Sequence, residues 1–292
     1  MMRAAVLIAM LGTCAWSFAQ NKATTQNPQA GQTQSGQAQS GQTPAAPAGK
    51  RPPQAKTQPE FDDYKAAMAL TDPAALEKAA NDFATKYPDS ELRVMLYKAA
   101  MQRYQQANNG GKMMEMAQKA LSYDPDDPEA LVGVAQVLTE RTRDTDLDKD
   151  QRLAEAKKDA EHALTTIDTD VPSSGYPPEQ LAAYKGFLRS NAYAVLGTLA
   201  SNAKDWPQAE DYLRKSIDAF PQQLDSVAVL RLAVALDMQN KIPEALKYAN
   251  QAVDLTKDHA DSPAGKAARA EQDRLTKLNS GTAPGQSAPA KN

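Results

Sequence analysis

The chain has 292 residues, 41% hydrophobic and 6% aromatic, with 33 Lys and Arg set against 36 Asp and Glu for a net charge of −3. One Cys and two His exclude a disulfide-stapled mini-fold and a Cys/His zinc module, and the near-balanced charge excludes nucleic-acid binding driven by net positive charge. The length alone would allow about two domains at roughly 150 residues each, but neither end reads as folded chain.

The N-terminus has the layout of a secretory signal. Arg3 precedes an apolar run, Ala4 to Trp16, that is too short to span a bilayer. Ser17-Phe18-Ala19 then places small residues at the two positions a signal peptidase reads, so residues 1–19 are predicted to be removed, and Cys14 with them. Leu11-Gly12-Thr13-Cys14 offers an alternative, a lipoprotein box in which Cys14 is lipidated, with Thr13 departing from the usual small residue. The protein is thus expected to be exported, periplasmic or secreted, with a membrane tether only if Cys14 carries lipid and no transmembrane span in the mature form. Residues 20–59 repeat Gly-Gln and Ser-Gly-Gln with added Ala and Pro, and lack the apolar surface that would offset ordering entropy. They are predicted to form a disordered linker, and residues 280–292 a second polar tail. Residues 60–279 remain to fold.

That central stretch shows no alternating strand pattern. Ala, Leu, Glu, Lys and Gln dominate it, and Pro falls between periodic segments, as at Asp72-Pro73, Pro88, Pro125, Pro128, Pro178, Pro207, Pro221, Pro243 and Pro263. The pattern predicts about eleven helices. A first unit closes on Phe83-x3-Tyr87-Pro88-x-Ser90. A second reads Tyr97-x2-Ala100-Met101-x2-Tyr104, then Ala117, Ala120-Leu121 and Asp124-Pro125. The third reads Leu131-x2-Val134-Ala135-x2-Leu138, then Ala156, Ala160 and Ala163-Leu164. The fourth reads Tyr193-x2-Leu196-Gly197-x2-Ala200, then Trp206, Ala209-x3-Leu213, Ile217 and Pro221. The fifth reads Val229-x2-Leu232-Ala233-x2-Leu236, then Ile242, Ala245, Tyr248 and Ala252. Met101 and Ala135 are 34 residues apart, and Gly197 and Ala233 are 36 apart. The run from Pro178 to Lys204 is either one extended helix or an extra helix before the fourth unit. Pro263 to Leu278 reads as a final helix with a polar back.

This pattern resembles the tetratricopeptide repeat, W-x2-L-G-x2-Y…A-x3-F…P over 34 residues, with Tyr193, Ala200 and Leu213 in place of its Trp, Tyr and Phe. The first unit's closing signature is similar to that of repeats in exported bacterial envelope proteins. The resemblance implies an all-α, right-handed α-solenoid of about five TPR-like helix pairs plus a C-terminal capping helix. In such an array Gly197, Ala209, Ala233, Ala245, Ala120 and Ala252 should sit where helices approach most closely.

One stretch invites a chemical reading. Leu138 and Ala156 lie 18 residues apart where the pattern expects nine fewer, and the insertion contains Asp144-x-Asp146-x-Asp148, with Glu155 at the twelfth place. That is the oxygen-ligand spacing of a calcium loop, but Lys149 stands where the turn needs Gly. The competing expectation is a solvated loop whose acids cap the following helix. His162 and His259 have no metal-site spacing, and no nucleophile elbow or phosphate loop occurs, so no enzyme activity and no cofactor are predicted.

In tetratricopeptide proteins the first helices of successive units line a concave groove. The resemblance places Lys98, Gln102 and Gln105 there from the second unit, and Val132, Gln136 and Thr139 from the third. It adds Asn191, Ala194 and Thr198 from the fourth, and Leu230, Arg231, Val234 and Asp237 from the fifth. The family's Lys–Asn carboxylate clamp is incomplete, because Gln102 replaces the Asn and Gly133 stands in the next unit. The expected function is a non-catalytic exported scaffold that binds a protein or peptide in the bacterial envelope. The alternatives are an accessory or lipid-tethered subunit of an envelope assembly or export machine, and a calcium-modulated binder using the acidic loop.

Overall fold

The structure is a computed structural model that describes residues 50–172 and 176–280. The predicted signal peptide with Cys14, residues 20–49 of the predicted linker and the tail beyond Ser280 lie outside the described residues. Among the described residues the long regular elements are all α-helices: α1 (Gln58–Met68), α2 (Pro73–Lys86), α3 (Leu92–Gln106), α4 (Gly110–Tyr123), α5 (Pro128–Arg141), α6 (Lys149–Asp170), α7 (Pro178–Asn202), α8 (Trp206–Ala219), α9 (Ser226–Asp237), α10 (Ile242–Leu255) and α11 (Pro263–Asn279). None of these helices is long and apolar enough to cross a membrane.

The helix boundaries follow from capping chemistry. The Asp72 carboxylate accepts from the Ala75 N–H with Pro73 in the first turn, and Asp127 does the same for Ala130 ahead of Pro128. Thr57, Asn109, Asp205, Asp225 and Ser262 cap α1, α4, α8, α9 and α11 in the same way. Three helices end in one recurring turn. Asn108, Lys204 and Asn240 have φ of 55°, 61° and 59°, and the next N–H reaches back to Tyr104, Ala200 and Leu236 respectively. These are Schellman turns, and they reverse the chain within the second, fourth and fifth pairs.

Helices pack as consecutive antiparallel neighbours, in five pairs with α11 closing the last. The first helices also touch one another in the series α1, α3, α5, α7, α9 and α11, whereas no comparable contact joins α2, α4, α6, α8 and α10. Closer spacing on one side bends the stack toward it, so the first helices form the inner face. The small residues predicted at close approaches are fully buried: Ala120, Ala209, Ala233, Ala245 and Ala252 each expose 0% of their surface. Gly197 is tighter still, since a β-carbon there would stand 2.7 Å from Leu213 Cγ. Leu76, Leu96, Met116, Ile167, Leu188, Leu213, Leu232 and Leu275 are fully buried in the interior of the stack. On α11, Gly265, Ala268 and Leu275 face inward while Lys266, Lys277 and Leu278 face out.

The third and fourth pairs depart from the common length. Pro178 to Asn202 is a single helix of 25 residues, with no break before the fourth unit, and α6 has 22 residues. Their far ends form a local core of Ile167, Val171 and Leu188 with Leu164, Leu181, Tyr184 and Phe187 against it. The acidic insertion shortens to a seven-residue connection, because α6 already begins at Lys149. Asp148 occupies the N-cap of α6 and Asp150 its first turn, so the loop's acids do stand at the helix's positive end, although Asp148 makes no side-chain cap bond.

Candidate partner surface

The inner face begins with a buried polar knot that joins three pairs. Asp127 and Glu129 open α5, and the Lys98 ammonium of α3 lies 2.8 Å and 3.0 Å from their carboxylates. The Gln102 amide donates to Glu129 Oε1 at 2.5 Å, and the Tyr184 hydroxyl of α7 donates to its Oε2 at 2.7 Å. The Lys98 side chain is only 14% exposed and that of Glu129 13%. Burial alone would lower the Lys98 pKa, but the charges of Asp127 and Glu129 outweigh it and hold the ammonium well above its ordinary value. Burial works in the opposite sense on Glu129, and Lys98, Tyr184 and Gln102 more than offset it, so the carboxyl stays below the usual range. Burial, then the Glu129 charge, pushes the Tyr184 phenol well up.

Lys98 and Gln102 are therefore committed to partners within the chain. Asp237 is committed likewise, to Arg274 on α11. Thr139 is buried with its hydroxyl donating to the Ala135 carbonyl, and Thr198 donates to that of Ala194. Val132 and Ala194 are buried, Val132 beside Ala163 and Ala192. Leu230 packs beside the Val229, Ala252 and Ala268 cluster. Gln105, Gln136, Asn191 and Arg231 stand half-buried on the inner helices, with the Gln136 amide donating to Glu140. The knot's acceptors and its tyrosine escaped the groove reading. Asp127-Pro128 reads as a helix start, and Tyr184 reaches the knot only because α7 runs twelve residues ahead of Ser190.

The acidic loop does not gather its carboxylates. Asp144 pairs with Lys149 at 2.8 Å, Asp146 accepts from the Arg143 N–H at 2.9 Å, and Arg152 lies 3.6 Å from Asp146 and 3.9 Å from Asp148. Glu155 is exposed nearly two turns along α6. Among the described residues no three His, Cys, Asp or Glu groups converge as a metal site. His162 Nε2 sits 2.8 Å from Asp126, tying α6 to the turn before α5. Trp206 packs with the core of the last two pairs, and Tyr193 stacks on Tyr212.

A further contact lies on the edge where one pair ends and the next begins. Lys50–Thr57, part of the predicted linker, runs along that edge before α1. The Lys50 N–H donates to the Thr169 carbonyl at 2.7 Å, and its ammonium lies 2.6 Å from Asp124 and 3.5 Å from Asp170. Arg51 pairs with Glu91, and the Gln54 N–H also donates to Glu91. Ala55 packs against the core of the first pairs. Composition alone gave no sign that chain this far upstream is anchored.

No family model matches the chain, and no curated protein matches it. Solved structures similar to it include YrrB, a TPR protein with an unusual peptide-binding site, at 17% identity and a TM-score of 0.44 over 70% of this chain and 87% of that one. MamA is similar at 15% identity and a TM-score of 0.44, over 70% of this chain and 97% of that one. PilF of Pseudomonas aeruginosa is similar at 18% identity and a TM-score of 0.46, over 77% of this chain and 95% of that one. The helix pairing, the repeat period and the buried small residues make the described residues an all-α stack of tetratricopeptide-like pairs.

Proposed function

We propose that the protein is a non-catalytic, exported scaffold that mediates protein–protein interaction in the bacterial cell envelope. The observation that carries this reading is the inner face. Five first helices stand side by side there, and α3, α5, α7 and α9 carry Gln105, Gln136, Asn191 and Arg231 as half-buried polar groups. Such a face suits an extended peptide or a helix, which gains affinity from many modest contacts along a preformed concave surface. Export is supported by Arg3, the short apolar run after it and Ser17-Phe18-Ala19.

Photo-crosslinking in the native envelope tests the reading. A crosslinking side chain at Gln105, Asn191 or Arg231 of the full chain should capture one protein. The same group at Gln118 or Asp211, exposed on α4 and α8, should not capture it. Capture from the outer positions alone would overturn the groove, and a chain found only in the cytoplasmic fraction would overturn the export.

A further inference from the structure

The junctions between successive pairs carry acids on one edge. Glu91 precedes α3, Asp124 precedes α5 and Asp170 closes α6. Lys50 and Arg51 are seated on all three. The seated segment is held extended by its own chemistry. Pro52 restricts Arg51 to extended backbone, Pro53 does the same to Pro52, and neither proline has an N–H to satisfy. Its grip is modest, because the Lys50 and Arg51 side chains remain 38% and 65% exposed, and exposed ion pairs are individually weak and screened by salt. The edge thus has a shape and charge that select a ligand, and an occupant that can leave.

We propose that this edge is a second docking surface, for an extended basic peptide with a dibasic step followed by proline, and that Lys50–Ala55 occupies it in cis. The peptide binds by exchanging with Lys50 and Arg51 on Glu91, Asp124, Asp170 and the Thr169 carbonyl. A tethered segment competes at an effective concentration in the millimolar range, so the edge opens only to a partner that outbids it, or when something upstream draws the segment away.

The test uses the full chain and a fluorescent peptide of the sequence Gly-Lys-Arg-Pro-Pro-Gln-Ala-Lys, followed by anisotropy at low salt. A Lys50→Glu, Arg51→Glu variant repels its own segment from the three carboxylates. It should bind the peptide more tightly than the unchanged chain, by a factor of one plus the ratio of the millimolar effective concentration to the peptide's own Kd on the opened edge, about tenfold for a Kd of about 0.1 mM. Adding Asp124→Asn and Asp170→Asn should abolish that gain, and raising the salt should reduce it progressively. A Lys50→Ala, Arg51→Ala variant should show the same gain, which covers the case in which charge reversal disturbs folding. Equal binding to the unchanged chain and both variants, no binding to either variant, or binding indifferent to Asp124 and Asp170 would overturn the proposal.

Discussion

Lys98 stands at the meeting point of α3, α5 and α7, and removing it leaves two acids without their counter-charge. Lys98→Met is expected to destabilise the protein by about 3–5 kcal/mol, the usual penalty for orphaning a buried carboxylate. Lys98→Met combined with Glu129→Gln should recover part of the loss, and urea unfolding of the three proteins measures both effects. Asp159, half-buried on α6, behaves in the opposite sense. Burial and then the neighbouring Glu155 charge raise its pKa to about 6, against the opposing charges of Lys158 and His162. A carboxyl raised in the folded state binds its proton more tightly there than in the unfolded chain. Its contribution is therefore present at acidic pH and is lost as the pH climbs toward about 6. Asp159→Asn should raise the melting temperature by roughly 1–2 °C near pH 7, after discounting for solvent, and leave it unchanged near pH 4. At this scale the sequence was informative about positions and silent about commitments. The repeat register put Lys98 on the inner face, but its buried partners come from the start of α5 and from a helical extension that lies outside the repeat pattern.

The helices themselves were largely legible. Pro and Asp punctuation located their starts, and the recurrence of Ala or Gly at one register position identified the close contacts, because only those residues let two helices approach so nearly. Gly197 gives the sharpest test. A β-carbon would meet Leu213 Cγ at 2.7 Å and Cδ2 at 2.8 Å, so Gly197→Ala should cost about 1–3 kcal/mol of overpacking. Its effect should appear in the urea midpoint. The Schellman turns are equally specific. Lys204 takes a left-handed conformation that Asn108 and Asn240 adopt more readily at the equivalent turns. Lys204→Gly should therefore stabilise by about 0.5–1 kcal/mol, while the same change at an ordinary exposed helical position such as Lys157 should destabilise. What stayed illegible was allocation of length. Residues in excess of the repeat between Leu138 and Gly197 are divided between a short acidic connection, an early start to α6 and a long lead-in to α7. Periodicity cannot make that division, because extra turns of amphipathic helix look the same wherever they are added.

The array holds together through neighbours alone, so its ends matter out of proportion to their size. α11 covers Val229 and Ala252 on the last pair with Ala268 and seals the end with Leu275. A chain ending at Asp261 is expected to expose that face and to self-associate, which size-exclusion chromatography would reveal as a concentration-dependent shift. The order of the array was readable from the sequence because each unit repeats the last. The edge contacts were not, since they join residues 74 and 40 positions apart that belong to no repeat. Those contacts also decide how the molecule carries a load. A pull applied through the N-terminal chain arrives first at Lys50, beside the ends of α4 and α6, well inside the stack and not at its terminal helix. The ion pairs there are loaded one after another and peel like a seam, and only when Lys50, Arg51 and Gln54 have let go does the force reach α1. The first thing tension undoes is thus a reversible surface contact, and the helical core beneath stays unstretched until that slack has been used.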